Sequence, residues 1–101
     1  MESSEITSPG AARRAAIEAR LRAEFDPSHL DVEDESHLHA GHAGARDGRG
    51  HFRVEMVSDV FAGKNRVSRH RMVYSALGEL METEIHALVV KAFTPDEWEA
   101  R

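Results

Sequence analysis

The sequence predicts an α+β domain in which helices pack on one face of a small three-stranded sheet, in the order helix, strand, strand, helix, strand, helix. Three observations carry this reading. Apolar residues recur every three to four positions in two stretches, alternate with polar residues in two others, and fill Ile85 to Phe93 almost without a break. At 101 residues the chain has room for one such domain.

Met1 to Ser8 is polar and unpatterned, a disordered lead-in to a domain running from Pro9 to Arg101. Ser8 and Pro9 suit the N-cap and first turn of a helix. Ile17, Leu21 and Phe25 form its buried stripe, Glu18 and Arg22 pair on the wet side, and Pro27 stops it. Leu30 and Val32 alternate with His29, Asp31 and Glu33. After a loop, Phe52, Val54 and Met56 alternate with His51, Arg53 and Glu55. The connection, Leu38 to Gly50, carries Gly41, Gly44, Gly48 and Gly50 and is longer than a hairpin requires, a length usually functional or disordered. Phe61 to Asn65 reads as a turn, and Ser68 as the N-cap of a second helix whose Val73, Leu77 and Leu80 share a face. The unbroken apolar run from Ile85 suits a strand buried on both faces or placed centrally. Thr94, Pro95, Asp96 and Glu97 then spell a capped helix start, with Trp98 as anchor.

Composition excludes several functions. Without cysteine there is no disulfide, thiolate nucleophile or cysteine metal cage, so cluster chemistry must borrow sulfur from another molecule. No apolar run approaches the roughly 20 residues of a membrane span, and the N-terminus lacks the layout of a signal peptide, so a cytoplasmic protein is expected. A formal charge of −5 argues against a protein that coats nucleic acid. Acidic residues cluster at Asp31, Glu33, Asp34 and Glu35, and again at Glu79, Glu82 and Glu84. Between these patches Lys64, Arg66, Arg69 and Arg71 form a basic stretch. It suits either docking of an acidic partner or phosphate contact. No nucleophile elbow, phosphate loop or carboxylate pair points to an enzyme.

Seven histidines are the compositional anomaly, three of them at His37, His39 and His42. Such a tract can hold a single metal ion through neutral imidazole, or can simply be a solvated loop. His86 opens an apolar strand, where the pattern alone suggests a strand-end structural residue. His51 reads the same way. His70 precedes Val73, Tyr74 and Leu77 on the buried stripe, which suits a ring that anchors the helix start, or a contact to a partner or nucleic acid. Tyr74 and Trp98 read as packing residues.

Arg69-His70-Arg71-Met72-Val73-Tyr74 followed by Ile85-His86-Ala87-Leu88 resembles the signature of the BolA family. Asp34-Glu35-Ser36 before the histidine loop, His51-Phe52-Arg53-Val54, Val57-Ser58-Asp59 with Phe61 and Gly63, and Thr94-Pro95-Asp96-Glu97-Trp98 extend the likeness in the family's order. The resemblance implies a BolA-like, class II KH-like fold with a mixed sheet and a helix-turn-helix-like segment from Gly63 to Leu77. The KH backbone clamp is absent, since Gly63-Lys64-Asn65-Arg66 lacks its second glycine.

The resemblance also implies a heterodimer with a monothiol glutaredoxin. The two would share a 2Fe–2S cluster in iron–sulfur cluster maturation, delivery or iron homeostasis, and the isolated chain, a monomer or weak homodimer, would bind none. Counting three positions on from Ser36, His39 aligns with the family's loop ligand, with His37 and His42 as alternates, and His86 aligns with its strand ligand. Two imidazoles from this chain and thiolates from glutaredoxin and glutathione would make a Rieske-like ligand set. The family's link to transcriptional control leaves weak DNA binding through Lys64, Arg66, Arg69, His70 and Arg71 as the alternative.

Overall fold

The computed structural model describes residues 9–36 and 49–101. Its elements run α1 (Pro9–Phe25), β1 (His29–Asp34), β2 (Gly50–Val57), a 3-10 turn (Asp59–Phe61), α2 (Arg66–Leu77), the short α3 (Leu80–Thr83), β3 (Ile85–Phe93) and α4 (Pro95–Ala100). The expected order of helices and strands is present. The Ser8 cap and the histidine loop lie outside the described residues.

The sheet is mixed, in the order β1-β2-β3. β1 and β2 are antiparallel, with Val32 opposite Val54, and β2 and β3 are parallel, with Val54 opposite Val90. These three residues mark the buried face. Ile17, Leu21 and Phe25 from α1 and Val73 and Leu77 from α2 pack onto it with Phe52, Met56 and Phe61. α1 also ties the helices together: the Arg20 guanidinium donates to the Ala76 and Leu77 carbonyls at 3.1 Å each, at the end of α2 where helical acceptors have no internal partner. α2 ends at Gly78, whose φ of 56° lies in the left-handed region that a glycine adopts without strain. Leu80, expected on the α2 stripe, therefore belongs to α3.

Two expectations are corrected. Asn65, not Ser68, caps α2: its side chain accepts from the Ser68 backbone N–H at 2.8 Å. The local sequence offers two competent caps, and the turn at Gly63 (φ 77°) delivers the chain to the earlier one. Ile85 to Phe93 is not a central strand but an edge strand, with Val89 49% exposed.

The helix α2 covers that edge. Arg69 Nη1 donates to the Ala92 carbonyl (3.1 Å), His70 Nε2 to Val90 (3.0 Å) and Tyr74 Oη to Leu88 (3.4 Å). Alternate carbonyls along a strand point to one side, so three side chains of one helix satisfy successive acceptors that an uncovered edge would leave open.

α4 has the expected cap: the Thr94 hydroxyl accepts from Glu97 N, and the Glu97 carboxylate accepts from Thr94 N. Trp98 stacks on His29 at 4.7 Å between ring centroids and lies 5.3 Å from Phe93, carrying the last helix round the end of the sheet.

Candidate functional site

His86 is exposed because the strand slips there. Gly50 pairs with Ile85 and His51 with Ala87, so His86 has no pairing partner in β2. Such a bulge resets the alternation and re-aims a side chain. Ile85 and Leu88 thereby both turn toward the core, while His86 and Ala87 are both outside. The spacing of three between apolar Ile85 and Leu88 was the trace of this in the sequence.

The two roots of the histidine loop meet at the same place. On the near side, the Ser36 hydroxyl accepts from His51 N at 3.0 Å and Glu35 N donates to the His51 carbonyl at 2.7 Å. The His51 ring, 8% exposed, lies 5.1 Å from the His86 ring at 53°. On the far side, Arg49 donates through Nη1 to the Glu82 carbonyl (3.3 Å) and through Nη2 to His86 Nδ1 (3.2 Å). Gly50 is required between them: a Cβ there would stand 2.6 Å from the Phe52 ring and 3.1 Å from Ser36 Oγ. His37, His39 and His42 lie outside the described residues. Among the described residues no group of three or more histidines and carboxylates could hold a metal ion.

Of the expected contact residues, Lys64, Arg66 and Arg71 are exposed. Arg69 is committed within the fold: its side chain is 12% exposed, Nη1 and Nη2 donate to the Glu97 carboxylate at 2.6 and 3.0 Å, and Nε donates to the Lys64 carbonyl at 2.8 Å. The bidentate contact holds the Glu97 carboxyl at a pKa of about 2, with the backbone N–H of Thr94 as the next cause. His70 is likewise engaged, on the Val90 carbonyl. From Gly63 to Leu77 the structure has one helix, α2, rather than two. A groove of about 700 Å³ runs between the start of α2 and the end of β3, lined by Lys64, Arg66, Arg69, Lys91 and Glu97 among others.

Sequence reasoning missed Arg49. It sits alone between two glycines with no periodicity to mark it, and its importance comes from a contact to a residue far along the chain.

This fold, with an exposed histidine at the head of its last strand and Arg-His-Arg on α2, is that of a known family. Residues 21–97 match the family described as BolA-like protein, and the chain belongs to it. It is 46% identical over 86 residues to the DNA-binding transcriptional regulator BolA of Escherichia coli (strain K12), covering 85% of this chain and 79% of that protein. It is 43% identical over 88 residues to Protein BOLA1, chloroplastic, of Arabidopsis thaliana, covering 84% of this chain and 55% of that longer one. Among solved structures, the BolA domain of SufE1 from Arabidopsis thaliana superposes with a TM-score of 0.76 at 42% identity, over 85% of this chain and 95% of that one. No helix of the described residues is long and apolar enough to cross a membrane.

Proposed function

We propose that this chain is a non-catalytic, cytoplasmic BolA-like adaptor that pairs with a monothiol glutaredoxin and co-ligates a 2Fe–2S cluster through His86 and His39, in cluster maturation, delivery or iron homeostasis. The observation that supports it best is the bulge at His86, which turns an imidazole outward where both roots of the histidine loop converge. The donor chemistry fits: neutral imidazole is an iron ligand, and a chain with no cysteine leaves the thiolate positions to a partner. The cluster is cargo in this reading. The chain's own part in this reading is to present His86 at the head of β3 and to supply His39 from the segment whose two flanking residues, Ser36 and Arg49, lie beside that strand end.

Mixing the chain with cluster-loaded glutaredoxin and recording visible circular dichroism tests the proposal. The wild-type chain should change the cluster spectrum, His86→Ala should abolish that change while the protein stays folded, and His39→Ala should weaken it more than His37→Ala or His42→Ala. An unchanged spectrum with the wild-type chain would sink the adaptor reading. Equal loss in the three loop variants would favour a mononuclear site at His37, His39 and His42.

A second reading, weak DNA binding, is favoured by the name of the Escherichia coli relative and by three exposed cations, Lys64 and Arg66 at the α2 side of the groove and Arg71 further along the helix. The engagement of Arg69 and His70 within the fold reduces the contact set that the sequence offers for it.

A further inference from the structure

The Arg49–His86 contact constrains the ring's chemistry. A guanidinium has five N–H donors and no acceptor, so the nitrogen it meets must accept. With Nη2 3.2 Å from Nδ1, the contact is a hydrogen bond only in the tautomer that carries its lone pair on Nδ1 and its proton on Nε2. That lone pair is the one a metal would take. Ligation through Nε2 instead would move the proton to Nδ1, where it would face an arginine N–H, donor against donor. Either way, His86 cannot bind iron while Arg49 keeps its present place. The other nitrogen of the guanidinium donates to the Glu82 carbonyl at 3.3 Å, just before β3.

We propose that Arg49 is a positioning residue that masks the accepting nitrogen of His86, so that the ring becomes available only when a docking partner draws the guanidinium away. This rests on the reading of His86 as an iron ligand. A carboxylate is the partner group suited to the task, since it offers a guanidinium two acceptors in place of one ring nitrogen and one carbonyl. The masking gives a reason for the chain to take up a cluster within a complex rather than to collect loose cations at an exposed imidazole.

Diethyl pyrocarbonate acylates an unprotonated imidazole nitrogen and so reports on the same lone pair. Peptide mapping after brief treatment of the full chain gives the rate at His86 alone. Arg49→Met, which keeps the length but removes every donor, should raise that rate by about tenfold, the equivalent of one charge-assisted hydrogen bond. Arg49→Lys should restore slow modification, because a cationic donor remains. A long-range 1H–15N spectrum of the wild-type chain should place the His86 proton on Nε2. Equal acylation rates in the wild type and Arg49→Met, or a proton found on Nδ1, would overturn the proposal. Neither measurement uses glutaredoxin, so an unchanged cluster spectrum on mixing would count against the iron-ligand reading and leave the masking contact to be decided by these rates.

Discussion

Arg69, His70 and Arg71 are adjacent in sequence and differ completely in circumstance. Arg69 and His70 are held by the carbonyls of β3, whereas Arg71 is exposed. His70→Ala should therefore behave as a structural change, lowering unfolding free energy by about 1 kcal/mol for the lost hydrogen bond, as read from urea denaturation. The pairing of Arg69 with Glu97 makes a prediction about acid. The folded pKa of Glu97 is depressed from 4.5 to about 2, so its stabilising contribution is present above the unfolded value and is lost as pH falls through that window. Glu97→Gln should be less stable than the wild type at neutral pH, and the difference between their urea midpoints should shrink steadily from about pH 4.5 to pH 2. A difference that stayed constant over that range would mean that the carboxylate charge contributes nothing.

The closing helix shows how much a short element depends on its ends. α4 has six residues, too few to persist by propensity, and survives through its capping box and the contacts of Trp98 with His29 and Phe93. Thr94→Ala removes the hydroxyl that accepts from Glu97 N and should cost about 1 kcal/mol. Because Trp98 is the chain's one tryptophan, its fluorescence reports directly on undocking of α4. The element β3 carries a related lesson. Its apolar run suits a buried strand, but the Leu88, Val90 and Ala92 carbonyls on its outer edge are taken up by polar side chains of α2 rather than by another strand.

On the scale of the whole molecule, an acidic protein presents a small basic margin. If Lys64, Arg66 and Arg71 all met phosphate, the log-affinity for duplex DNA would fall with log salt at a slope of about −2.7, and glutamine at Arg66 and Arg71 would reduce that magnitude by about 1.8. Fluorescence anisotropy across a salt series measures both. Weak binding with little sequence preference is expected, since exposed cations suit phosphate contact, which positions a protein but carries no sequence information. Tight, sequence-selective binding at physiological salt, lost in the double variant, would make the regulator reading the primary one.

Periodicity by itself determined the first two long helices, the first two strands and most of the core, because burial on one face writes a repeat of four or two into the residues: Ile17, Leu21 and Phe25, or Phe52, Val54 and Met56, all of which are buried. The signature around Arg69 and His86 was equally legible, and the family followed from it. What no local pattern records is partnership between distant segments. Only the tertiary structure decided that β2 rather than β3 is central, that Arg69 turns onto the Ala92 carbonyl and Glu97, and that a one-residue bulge exposes His86. It also decided that Arg49 sits on that ring, because a hydrogen bond across the fold leaves no period in the chain.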